Sequence, residues 1–165
     1  MQARGPRPPI QHRETSMSVE IHSRKEAVVL QNPGKRSVQL LWRENAPDAA
    51  VTVTHVAMAP GAVSSRHEHP GAEQIWIVES GVAALLLGEH ERREIKAGDL
   101  VRTPKGHVHG IENTGAVPFV YLTVTCPPED MTHFYVQRQN AAETSADADP
   151  VPTEADRDGS DATRA

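Results

Sequence analysis

Between Ala27 and about Thr125 the chain is cut into short apolar runs by turn-forming residues, and this punctuation constrains the fold more than any other feature. The runs are AVVLQ, SVQLLW, VTVTHVAM, EQIWIV, VAALLL, REIK, DLVRT, HVHGIEN and FVYLTVT, rich in β-branched and aliphatic residues. Asn32-Pro33-Gly34, Pro60-Gly61, Pro70-Gly71, Gly81, Gly88, Gly98, Pro104-Lys105-Gly106 and Asn113-Thr114-Gly115 separate them. Turn signals roughly every 8–12 residues, with no amphipathic helix between them, predict an all-β antiparallel sandwich or barrel. After Cys126-Pro127-Pro128 the pattern stops, and MTHFYVQRQNAAE predicts one short helix that packs Phe134 and Tyr135 on the barrel.

The chain has 165 residues, 38% of them hydrophobic, which suits one domain and one modest core. Residues 1–26 lack periodicity and read as a flexible extension, with Met17 an alternative start; 27–140 form the folded domain. Residues 141–165 hold seven acidic residues against two arginines, and their Ala, Asp, Pro, Ser and Thr content predicts a disordered acidic tail. That tail accounts for the whole net charge of -5, leaving 15 acidic and 15 basic residues elsewhere. A balanced domain offers no field to attract phosphate backbones, so nucleic acid is not an expected partner. A single cysteine, Cys126, excludes an intramolecular disulfide and a Cys-rich zinc module. No secretory leader and no run of eighteen apolar residues is visible, so a cytoplasmic protein without a membrane span is expected.

Histidines are concentrated in two of the turn-bounded segments, GAVSSRHEHPGAEQIWIVESG (residues 61–81) and GDLVRTPKGHVHGIEN (98–113). Side chains two apart on a strand share a face, so His67 and His69 project together, as do His107 and His109 if that segment is extended. Two strands can thus aim imidazoles at one point, where three or four donors hold a divalent transition metal such as zinc, nickel, manganese or iron. Parity also puts Gln74, Trp76 and Val78 on one face and Glu73, Ile75 and Ile77 on the other. Trp76 is therefore expected to line the pocket. His55, on VTVTHVAM, reads as a hydrogen-bonded wall residue.

These segments resemble the two motifs of the cupin superfamily, G(x)5HxH(x)3–4E(x)6G and G(x)5PxG(x)2H(x)3N. Gly98, Pro104, Gly106, His109 and Asn113 match the second at every fixed position, and Gly61, His67, His69 and Gly81 match the first. The resemblance covers about residues 50–125 and implies a small double-stranded β-helix, or jelly roll, with a metal held by three histidines and one acidic ligand. The departure is that ligand: counting from His69 and back from Gly81 lands on Gln74, with Glu73 the alternative. Many single-domain cupins are similar homodimers pairing through N-terminal strands, which here would be residues 27–42.

A neutral amide in place of a carboxylate leaves the ion its full double charge and strengthens it as a Lewis acid. The expected function is therefore a non-redox metal enzyme of lyase, isomerase or cyclase type, acting on a small carbonyl- or hydroxyl-bearing molecule. His107 and Glu73 are its candidate acid–base groups. An iron dioxygenase and a non-catalytic metabolite-binding or sensor protein are the alternatives, since one fold hosts many chemistries.

Overall fold

The computed structural model describes residues 19–140; the acidic tail and residues 1–18 of the expected N-terminal extension lie outside the described residues. Eleven strands follow one another: β1 (Val28–Asn32), β2 (Lys35–Leu41), β3 (Thr52–Met58), β4 (Val63–His67), β5 (Glu73–Ser80), β6 (Val82–Leu87), β7 (Glu91–Lys96), β8 (Leu100–Thr103), β9 (His109–Glu112), β10 (Phe119–Cys126) and β11 (Gln137–Asn140). They pair antiparallel in two sheets, β11-β1-β2-β3-β10-β5-β8 and β4-β9-β6-β7. The all-β antiparallel architecture expected from the turn spacing is observed, in the double-stranded β-helix form that the resemblance implies. No helix among the described residues is long and apolar enough to cross a membrane.

Alternation places the core. On β5, Gln74, Trp76 and Val78 are buried while Glu73, Ile75 and Ile77 are not, the period-two pattern of a strand with one buried face. Val56, Met58, Trp76, Val78, Phe119 and Tyr121 from the larger sheet meet Ala83, Leu85, Ile95 and Ile111 from the smaller one. Each large side chain buried there contributes about 1.5–3 kcal/mol relative to exposure.

The turn residues do what their chemistry allows. Gly81 has φ of 85°, and a Cβ there would lie 2.8 Å from the Pro118 carbonyl and 2.9 Å from Phe119 Cα, so only glycine fits between β5 and β6. Asn113 is buried; its amide donates to the carbonyls of Met58 and Val117, both at 2.9 Å, and its Oδ1 accepts from Gly115 N at 2.9 Å. It ties the turn after β9 to the opposite sheet.

The helix expected over 131–143 is not formed in its described part. Thr132–Phe134 make a single 3-10 turn, Tyr135 is extended at φ -122° and ψ 144°, and the chain continues into β11. The physical reason is the free edge of β1: β11 pairs with it from Val28↔Asn140 to Gln31↔Gln137, exchanging local helical bonds for ladder bonds. Residues 127–136 thus become a strap. Asp130 accepts from Thr132 N at 3.0 Å and Thr132 Oγ1 at 2.7 Å and pairs with Arg43 at 3.0 Å. Asn32 donates to Phe134 O at 2.8 Å and accepts from Val136 N at 3.0 Å, and Tyr135 donates its hydroxyl to Ser37 at 2.9 Å.

Candidate metal centre

Three imidazoles converge at one end of the cavity between the sheets. His67 closes β4 and is the direct cross-strand partner of His109, which opens β9, and His69 follows in the connection to β5. Ring centroids are 5.0 Å apart for His67 and His69, 4.7 Å for His67 and His109, and 5.3 Å for His69 and His109. One nitrogen from each lies within 4.8 Å of the other two, a spacing that one ion can bridge at the Zn–N distance of about 2.0–2.1 Å.

Local sequence explains the convergence. The β4–β9 register shifts between Ser64 and His67, a bulge that turns the end of β4 inward. Gly110 makes room for it, since a Cβ there would lie 2.8 Å from Ser64 O and 3.0 Å from Arg66 N.

Hydrogen bonding and burial prepare the rings for a cation. His67 Nδ1 donates to Ser65 O at 2.7 Å and His109 Nδ1 donates to His107 O at 2.8 Å, which leaves each Nε2 as the free lone pair. The buried Nε2 of His109 and both buried ring nitrogens of His69 have no hydrogen-bond partner among the described residues. Buried polar atoms are rarely left so, and a metal ion is the partner this donor set fits. Burial, chiefly, pushes the His69 and His109 pKa values down to about 4, with neighbouring cations adding to the effect, and burial lowers His67 too. All three rings are therefore neutral ligands at pH 7.

The remaining expected site residues divide. Gln74 is buried and faces the cavity, its Nε2 donating to Thr125 Oγ1 at 3.3 Å. Trp76 lies beside it, 5.5 Å from the His109 ring and 5.2 Å from that of Tyr121. Glu73 is not brought to the histidines: it points to the outer face, where Arg102 donates to its Oε2 at 2.6 and 3.0 Å. His107 is also outside the cluster, because residues 104–107 form a turn, and the extended geometry that would align it with His109 begins only at His109. Its ring is exposed, with Nδ1 on Lys105 O at 3.2 Å. His55 lies on the face of β3 opposite the cavity, between Arg24 at 2.9 Å and Glu79 at 3.1 Å. Arg24 belongs to the segment expected outside the fold.

Other cavity residues carry no signal in either motif. The cavity holds about 460 Å³ including its open mouth. Thr54, Thr123 and Thr125 give it a polar lining, Val56, Trp76, Ile111 and Tyr121 an apolar one, and Met131 and Tyr135 of the strap complete it. Phe134 packs on His67 and His69 at 5.6 and 5.9 Å. Lys35 brings an ammonium to the mouth, 3.2 Å from Ser64 Oγ and 5.2 Å from the Tyr135 ring. Outside the motifs, too, Glu129 Oε2 lies 2.8 Å from His69 Nδ1.

An antiparallel double sheet enclosing a converging histidine cluster defines a class of small β-barrels built around a potential metal centre. Residues 54–125 match the model of the cupin domain, and the chain belongs to the cupin family. It is 33% identical over 100 residues to the oxalate-binding protein of Thermotoga maritima, a match covering 55% of this chain and 77% of that one. It is 34% identical over 68 residues to an uncharacterized protein of Methanocaldococcus jannaschii, covering 41% of this chain but only 54% of that protein's length. Among solved structures, a double-stranded β-helix protein of Klebsiella pneumoniae superposes with a TM-score of 0.57 at 26% identity, over 74% of this chain and 97% of that one.

Proposed function

We propose that the protein is a divalent-metal enzyme of non-redox type, a lyase, isomerase or cyclase, acting on a small molecule that bears a carbonyl or hydroxyl group together with a carboxylate. The observation that carries this reading is the set of unpartnered buried nitrogens on His69 and His109 beside a cavity with both a neutral Gln74 and a cationic Lys35. His67, His69 and His109 hold the ion, and Gln74 is the neutral fourth donor. Zinc, nickel, manganese or iron in this donor set supplies Lewis acidity toward a carbonyl or hydroxyl oxygen. Lys35 pairs with the substrate carboxylate, the threonine hydroxyls orient its polar groups, and Trp76 and Tyr121 exclude water from one side. Glu73, held by Arg102 on the outer face, and His107, exposed outside the cluster, are assigned no part in proton transfer.

A second reading, non-catalytic binding of a small dicarboxylate, draws support from the relative named as an oxalate-binding protein. Both readings share the metal and Lys35. In either, self-association through residues 27–42 uses faces and not the edge of β1, which β11 covers.

Elemental analysis of protein purified without added metal, followed by calorimetric titration of the metal-loaded protein with oxalate and small 2-oxo- and 2-hydroxycarboxylates, tests the proposal. One divalent ion per chain and carboxylate binding that weakens at least tenfold in Lys35→Met are expected. A metal-free protein, or carboxylate binding indifferent to Lys35→Met, would overturn it.

A further inference from the structure

Every metal-bound imidazole has a second nitrogen whose partner fixes its orientation and tautomer. For His67 and His109 that partner is a backbone carbonyl two residues earlier, Ser65 O and His107 O. His69 has no such carbonyl, and both its ring nitrogens lack a hydrogen bond. What stands against its Nδ1, 2.8 Å away, is Oε2 of Glu129, itself buried and without a hydrogen-bond partner. The two atoms are close but not yet aligned.

We propose that Glu129 is the positioning carboxylate of the metal centre, accepting the Nδ1 proton of His69 so that its Nε2 faces the ion. This rests on the metal reading above. An ion on Nε2 would leave the proton on Nδ1, the nitrogen that lies 2.8 Å from the carboxylate. The electrostatics agree. Three neutral imidazoles and Gln74 would offset none of a divalent ion's charge, and Glu129 is the carboxylate that lies against His69. Its backbone is held in place, since Asp130 is clamped by Thr132 and Arg43. The strap therefore brings to the centre the negative charge that the strand position of Gln74 does not.

Zinc titration against a chromophoric chelator, for the wild type, Glu129→Ala, Glu129→Gln and His109→Ala, tests this role. Glu129→Ala is expected to keep one ion per chain and weaken it about 10–100-fold. Glu129→Gln recovers part of the loss, because its amide oxygen still accepts the proton. Long-range nitrogen–proton spectra of the zinc-loaded wild type should show His69 protonated at Nδ1. Affinity within threefold of wild type in Glu129→Ala overturns the role. So does a loss as complete as that of His109→Ala, which would make Glu129 a direct ligand, or a spectrum showing His69 bound through Nδ1. A wild-type chain that takes up no zinc overturns the metal centre itself, and this role with it.

Discussion

Trp76 donates its indole N–H to the side-chain oxygen of Gln74 at 3.1 Å. An indole nitrogen can only donate, so this contact fixes which end of the amide is oxygen. The amide nitrogen then donates to Thr125, and one lone pair of the oxygen remains for the cavity. Gln74 is thus held as a neutral oxygen donor by two buried partners.

A carboxylate in the same place keeps the Trp76 bond and can accept from the Thr125 hydroxyl, so Gln74→Glu should fold. It should bind the ion more tightly and, by lowering the net charge, raise the pKa of metal-bound water. Chelator competition and a pH titration of the cobalt-substituted protein check both effects; weaker binding would show that Gln74 lies outside the coordination sphere.

The metal-free protein should lose stability as pH falls through the histidine window. His69 and His109 have pKa values of about 4 when folded against 6.5 as the ordinary value, and His67 is also lowered. Between these limits the unfolded chain binds more protons, so the stabilisation from neutral buried rings is complete above about 6.5 and declines as pH falls toward about 4. Thermal midpoints of the metal-free protein from pH 7.5 to 4 check this; a flat profile would count against it.

Gly110→Ala should damage both fold and site. The added methyl meets backbone on β4, not a flexible side chain, so the strand must move. Overpacking of this kind costs about 1–3 kcal/mol, and the displaced bulge carries His67 away from His109. Denaturant unfolding and zinc affinity should fall together, and an unchanged zinc affinity would show that the bulge does not set the site.

Nine of the strands were legible because their apolar runs lie between strong turn signals, and the positions of His67, His69 and His109 followed from motif spacing. The short strand Val63–His67 was hidden inside a polar stretch, VSSRH, and is extended because β9 supplies its partner. The local composition of the strand after Tyr135 permits a helix; the edge of β1, about 110 residues earlier in sequence, decides otherwise. His107 lies outside the cluster for a related reason. Its parity with His109 holds only on a strand, and Pro104 and Gly106 put it in a turn. Glu129 and Lys35 belong to no local pattern, and only tertiary pairing brings Glu129 to His69 and Lys35 to the cavity.

Metal stoichiometry of the wild type, His109→Ala and Glu73→Gln, measured after loading with zinc and exhaustive desalting, tests the central claim most directly. One ion per chain is predicted for the wild type and for Glu73→Gln, whose carboxylate is occupied by Arg102 on the outer face, and none for His109→Ala, which removes one imidazole of three. Zinc retained in full by His109→Ala would contradict the three-histidine centre, and zinc lost from Glu73→Gln while a Gln74→Ala protein keeps it would contradict Gln74 as its fourth donor.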